Sequence, residues 1–356
     1  MTFTMACALP GGLAGVPSPP NFAVSPTPTV LPSLSQERAS PDSAAVRGEA
    51  EGAQRRFERI RRGLLPQTWG GGRKDCDERV GRFCFWHDQE KDEWTLPPDS
   101  PDLATARNDL LEALSSAANR LPGDDWILGQ RIRYLTEGGA WEDAARLARI
   151  CGGAHPSWCS VLEGFALHGT GRYEAALECF HDGLETMDSR EARRWRDPSM
   201  LLDGRGSSLL EDAAEVDAQR EADSHSEANS QPGANSGAVD QWENLRARVW
   251  TLADPLYLVE GNDRESEHYA RWVFSKMHED AQNPYGIRWG DDLEELTVRY
   301  GWDRGWERVR QDLRTAGGRP YRDWPSNARW KEIRSSGADP GGPVGCNTRC
   351  LALGRT

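Results

Sequence analysis

From 102 to 187, apolar residues recur three and four positions apart, the spacing that gathers them on one face of an α-helix. Leu103, Leu110, Leu111 and Leu114 predict a first helix, followed by a Pro122-Gly123 break. Asp124 or Asp125 can cap a second helix through Ile127, Leu128, Ile132 and Leu135, which ends at Gly138-Gly139. A third begins at Trp141, a fourth spans 157–167, and a fifth runs over 172–187 after Gly169-Thr170-Gly171. The helical period returns after 241. Leu245, Val249 and Leu252 predict a helix stopped by Pro255, and Asn262 or Asp263 can cap a long amphipathic helix over 264–281. Beyond the turn Trp289-Gly290-Asp291-Asp292, Leu296, Val298 and Tyr300 alternate with Thr297 and Arg299, which predicts a half-buried strand; the acidic residues at 291, 294 and 295 would equally suit the start of a short helix.

Two of these segments repeat. Trp141 and Ala144 superpose on Tyr173 and Ala176 with an offset of 173 − 141 = 32, close to the period of helix-turn-helix solenoid units. With Gly164, Ala176 and Phe180 at small, small and aromatic positions, the stretch resembles a tetratricopeptide repeat. The resemblance implies stacked helix pairs whose exposed face holds a peptide or a partner domain. Gly183 stands where the family has alanine, and the first unit has Ile132 and Ala148 at positions that are small and aromatic in the family.

The flanks have a different composition. Residues 1–50 hold eight of the 22 prolines and predict a disordered leader over 1–53. Gln54 to Arg62 is a basic helix candidate with a solvated face, followed by the glycines at 70–72 and an aromatic cap over 54–100 pinned by cysteines. Between 203 and 240 nine acidic residues face two arginines, so this stretch carries 2 − 9 = −7 of the net charge of −13, and it reads as an acidic disordered linker. Residues 316–356 read as a loose tail rich in glycine and arginine.

The C-terminal segment resembles the GWxTD domain of exported bacterial proteins, a family of unknown biochemical function. The resemblance is carried by Trp250, Asp254, Pro255, Asn262, Glu267, Arg271, Trp289, Gly290, Tyr300 and Gly301, with Arg288 and Asp291 departing from the family's glycine and threonine. It implies export and an interaction role without supplying a reaction. Six of the 15 tryptophans, Trp242, Trp250, Trp272, Trp289, Trp302 and Trp306, fall here and are expected in the core, not on a sugar- or peptide-stacking surface.

The chemistry the chain can perform is bounded by charge and cysteine spacing. An acidic chain of pI near 5.1 lacks the basic footprint of a nucleic-acid binder. No apolar run is long enough to cross a membrane as a helix. Cys76 and Cys84, and likewise Cys151 and Cys159, are eight apart, while Cys346 and Cys350 are four apart; all three are candidate local disulfides, which suit an extracytoplasmic protein, with free thiols in a cytoplasmic one as the alternative. Spacing for a four-ligand zinc site is lacking, and neither metal nor cofactor is expected. Asp291, Asp292 and Glu295 are the candidate carboxylates for hydrolysis, but Glu267 and Arg271, four apart on a helix, predict a plain ion pair. The expectation is therefore a mainly α protein with a helical-repeat solenoid over 101–202 and a small α or α+β domain over 241–315. Its expected role is non-enzymatic protein or peptide binding, with an exported hydrolase as the alternative.

Overall fold

A computed structural model describes residues 41–70, 78–85, 98–226, 240–254, 257–303, 306 and 308–311. The chain is mainly helical, with eleven α-helices among those residues and four short strands. The first helix, α1 (Pro41–Leu64), begins inside the stretch expected to be a leader. Val46, Ala50, Ala53 and Phe57 form a stripe at helical spacing that is buried against α2 (Pro101–Arg120) and α3 (Asp125–Glu137). That stripe contains small alanines, which a search for leucine periodicity passes over. The basic stretch at 54–62 forms the second half of α1: Arg55, Arg56 and Arg59 are exposed on a solvated face, while Gln54, Phe57, Glu58 and Arg61 turn inward and are buried. The remainder of the leader, residues 1–40, and the tail over 316–356 lie outside the described residues.

Helix starts follow local chemistry. Ser100 accepts a hydrogen bond from Leu103 N at 3.3 Å and Pro101 opens α2, while Asp124 accepts from Ile127 N at 2.8 Å at the start of α3. Next come α4 (Trp141–Ile150), α5 (Pro156–Gly169) and α6 (Tyr173–Thr186), packed in succession. The tightest contact is between α5 and α6. A Cβ at Gly164 would lie 2.8 Å from the Phe180 ring and 3.0 Å from Ala176 O, so only glycine admits this approach. Cys151 and Cys159 are bonded as a disulfide across the α4–α5 turn, with Cα atoms 5.6 Å apart.

After α7 (Ser189–Arg196) and a 3₁₀ turn, the acidic stretch forms α8 (Gly204–Ser226), where a linker was expected. Leu210 and Ala213 bury against Trp242 of α9 (Gln241–Ala253), and Asp217 accepts a hydrogen bond from Trp242 N at 2.9 Å. Leu210, Ala213 and Asp217, three and four positions apart, are buried while Val216 is exposed, so a narrow stripe in an acidic setting is enough for a helix once an indole covers it. The expected strand at 296–300 is also a helix, α11 (Asp291–Tyr300). Leu293, Leu296, Thr297 and Val298 are its buried positions, the first three at the three-and-four spacing of a helix, and Gly301 at φ 93° ends it.

The strands are minor. β1 (Gln67–Gly70) pairs in parallel with β4 (Arg308–Gln311), and β2 (Glu78–Val80) pairs antiparallel with β3 (Phe83–Phe85). Of the cysteines expected to pin the cap, Cys84 lies in β3 and Cys76 lies outside the described residues, as do Cys346 and Cys350 of the separate candidate pair in the tail. The expected division between a repeat region and a C-terminal domain is absent from the core. Ile132, Phe165, Phe180, Trp195, Tyr269, Trp272, Phe274, Leu293 and Val298 belong to one continuous apolar cluster.

Candidate functional site

The helix α10 (Asp263–His278) occupies the centre of that cluster and packs on α3, α5 and α6. Asn262 caps it, accepting from Arg264 N at 3.1 Å and Glu265 N at 3.0 Å while its Nδ2 donates to Trp250 O at 2.8 Å. The cap thereby ties the end of α9 to the start of α10. Tyr269 meets Phe180 at 5.5 Å between centroids, Trp272 stacks on Trp195, and Gln130 Nε2 donates to Met277 O at 2.6 Å. One side of α3 and α5 thus carries a helix of the same chain.

Many polar groups inside this interface are matched, while Trp250 Nε1, His268 Nδ1 and Arg271 Nε are buried without a hydrogen-bond partner. Glu267 accepts from Arg271 Nη2 at 2.6 Å, and Arg271 Nη1 donates to Val298 O at 2.9 Å and Arg299 O at 3.0 Å, satisfying carbonyls in the last turn of α11. Burial would raise the Glu267 carboxyl, but Arg271 outweighs it and holds it below the usual range. His168 Nδ1 lies 3.0 Å from Ser266 Oγ, and His268 Nε2 donates to Trp195 O at 2.7 Å. Burial pushes both imidazoles down to about 4, and His278, which donates from Nδ1 to Phe274 O, is held well below its ordinary value for the same reason. These three histidines are neutral packing groups at pH 7.

A second buried polar cluster joins α1 to α3. Arg61 Nη2 reaches Glu137 at 2.6 Å and Glu58 at 3.1 Å; Arg133 donates to Glu137 at 2.8 Å and to Gln282 O at 2.9 Å; Tyr134 donates to Glu58 at 2.7 Å. Burial raises Glu58 more than its two arginines lower it, whereas the arginines overcome burial at Glu137 and bring it down to about 2. No sequence motif marked this cluster. Its only trace is that Glu58 and Arg61 continue the Val46, Ala50, Phe57 stripe, and that Arg133 sits between buried Ile132 and Tyr134.

The candidate carboxylates diverge instead of converging on a cleft. Asp292 accepts from Arg82 Nε at 2.6 Å, from Arg82 Nη2 at 2.7 Å and from Arg82 N at 3.1 Å; burial opposes ionisation, but these hydrogen bonds hold the carboxyl below its ordinary value. Glu295 pairs with Arg299 at 2.9 Å within α11, Glu294 pairs with Arg194 of α7, and Asp291 is exposed. Such an arrangement anchors α11 to the β2–β3 turn and to α7. An acid and base pair would instead need two carboxyls facing one substrate with separated pKa values. Among the described residues no group of three or more His, Cys, Asp or Glu side chains is placed to hold a metal ion. No described helix is long and apolar enough to cross a membrane. Comparison with family models, with curated proteins and with solved structures gives no match.

The remaining residues singled out in the sequence fall around α10. Trp141 packs on Phe165 at 5.5 Å, Ala144 is buried behind it, and Tyr173 lies 5.4 Å from His168. Trp289 donates from Nε1 to Ser275 Oγ at 3.0 Å, Gly290 precedes α11, and Tyr300 and Gly301 close it. Asp254 ends α9, and Pro255 lies outside the described residues. The six tryptophans from Trp242 to Trp306 are buried or half-buried.

Proposed function

We propose that this chain is a non-enzymatic interaction protein built on tetratricopeptide-like helix pairs, α3–α4 and α5–α6, that hold an amphipathic helix. The observation that supports this reading is the seat of α10, which buries Tyr269, Trp272, Val273, Phe274 and Met277 against the rest of the core, with α3, α5 and α6 beneath it. Each such side chain contributes roughly 1.5–3 kcal/mol on leaving water. A surface that retains one amphipathic helix is chemically suited to a partner helix of the same pattern, either in exchange for α10 or beside it. Residues 101–200 expressed alone expose that surface. A peptide of residues 262–281 is expected to bind them and to produce a cooperative thermal transition; a fragment that takes up no peptide and melts without cooperativity rules the repeat reading out.

The kinship with the GWxTD domain remains part of the proposal, supported by the joined contacts of Trp250, Asn262, Glu267 and Arg271. An extracytoplasmic location is proposed on the Cys151–Cys159 bond, because structural disulfides persist in oxidising compartments. Rapid alkylation before lysis, followed by mass spectrometry, is expected to find those two residues bridged and Cys179 alkylated. Free thiols at Cys151 and Cys159 would place the chain in the cytoplasm.

A further inference from the structure

The turn between α4 and α5 is shaped by a bond that thiol chemistry can open. α4 ends at Cys151, whose N–H donates to Leu147 O at 3.2 Å and whose φ is 59°. Gly152 and Gly153 follow at φ 60° and 102°, so three successive residues are left-handed. A helix end of this kind ordinarily carries glycine, because a Cβ disfavours the left-handed region. Here two glycines stand immediately after that position and a cysteine occupies it. The disulfide to Cys159, in the first turn of α5, holds the cysteine there, and Arg149 with Glu163 at 2.7 Å draws the same two helices together.

The turn so held stitches α5 to α3. His155 N donates to Asp125 Oδ1 at 2.8 Å, and the Trp158 indole donates to Asp125 O at 2.9 Å. Trp158 lies over Gly129, where a Cβ would fall 3.2 Å from its ring, and Gly123 comes so close to the turn that a Cβ there would be 3.1 Å from Gly153 O. These contacts lie at the seam between α3 and α5, two of the helices on which α10 packs. Access to the two sulfurs is unequal. Cys159 is 6% exposed, whereas Cys151 is half-buried beside exposed Gly152, Gly153, His155 and Pro156.

We propose that the Cys151–Cys159 bond is a reducible latch: a dithiol opens it, the turn relaxes from its left-handed run, and the seam between α3 and α5 loosens while the chain stays folded. A thiolate of the dithiol attacks Cys151 Sγ and forms a mixed disulfide with it, as the Cys151–Cys159 bond breaks and Cys159 leaves as a thiolate. Helix N-termini favour negative charge, which suits the leaving sulfur in the first turn of α5. The second thiolate of the dithiol attacks the dithiol's own sulfur in the mixed disulfide and releases Cys151. Both cysteines take up protons, and the dithiol, having given two electrons, ends as a disulfide. This deepens the interaction reading by naming a control on the seat of α10, and it rests on that reading only for the use made of the loosened seam.

The test uses the full chain, with dithiothreitol as the dithiol and the oxidised chain as reference, near neutral pH and without denaturant. The expected result is alkylation of both Cys151 and Cys159 after reduction, backbone hydrogen exchange at least about tenfold faster over 122–129 and 151–159, and a retained cooperative melt. Cys151→Ser with Cys159→Ser is expected to exchange like the reduced chain. Cys151→Gly with Cys159→Ser is expected to exchange more slowly than that, because glycine takes the left-handed turn without strain. Reduction that occurs only where denaturant unfolds the chain, or that abolishes the melt, makes the bond a plain staple and overturns the proposal. So does reduction that leaves exchange unchanged, or equal exchange in the two variants. None of these readouts needs a peptide, so failure of the 101–200 fragment to bind residues 262–281 leaves them intact and the two ideas fail separately.

Discussion

Acidification from pH 7 to about 4.5 is expected to remove roughly 3–7 kcal/mol of stability, most of it through three buried histidines. His168 and His268 titrate at about 4 in the folded protein, and His278 well below its ordinary value, because burial penalises the imidazolium. Unfolded histidines take up protons near 6.5, so the unfolded state binds more protons between about 6.5 and 4. Their contribution is therefore complete above about 6.5 and lost as the pH falls towards 4. Among the described residues five carboxyls act in the opposite sense. Asp303, raised to about 6 by burial, and Glu58, Asp240, Asp263 and Glu294, also raised by burial, protonate in the folded state first and offset part of the loss. Since total stability of a domain is about 5–15 kcal/mol, the net loss brings the chain close to unfolding. Urea titrations at several pH values check this. His268→Gln is expected to flatten the pH dependence by up to about 1.4 kcal/mol per pH unit, one proton's worth, and an unchanged slope would mean that His268 is hydrated and charged.

Arg133→Leu is expected to cost about 3–5 kcal/mol and to lower the melting temperature by about 10 °C. The guanidinium lies between Glu58 and Glu137 and also donates to Gln282 O; Glu58 is fully buried and the Glu137 side chain is 12% exposed. Removing it leaves Arg61 as the single cation for two buried anions, and the uncompensated charge, more than the lost contacts, carries the cost. The paired change Arg133→Leu with Glu137→Leu restores neutrality and is expected to be milder than the sum of the single changes. A double-mutant cycle by chemical denaturation measures the difference. A cost under about 1 kcal/mol for the single change would show that water reaches the cluster.

Much of the helical architecture was legible before any coordinates. Helices α3 to α6, α9 and α10 start and stop close to where apolar spacing, Asp124, Asn262 and the glycine pairs place them. Those signals are local, involving hydrogen bonds within a turn and side chains a few positions apart, and one sequence carries them directly. α1 and α8 were misread because their buried faces are narrow or rich in alanine. Their stability comes from Leu110, Leu114 and Trp242, which lie far away in the chain. At α11 strand and helix both stay open in the sequence because Leu293, Leu296, Val298 and Tyr300 satisfy two periods at once, and contact with the core decides between them.

The candidate site divides in the same way. Sequence alone predicted the Glu267–Arg271 pair, since four positions on one helix bring the two side chains together. It could not show that Arg271 reaches onward to the carbonyls of α11, or that Asp292 is claimed by Arg82 on a distant hairpin. Nor could it place Glu58, Arg61 and Arg133 in one buried cluster, because burial of a charge is a property of everything packed around it. Sequence by itself determined where helices form and which faces of them are apolar. Tertiary structure decided that α10 packs on α3 and α5 and which carboxylates keep a partner. The physical reason is range: helix propensity and capping act within a few residues, whereas desolvation and charge pairing depend on side chains brought together from 100 or more positions apart.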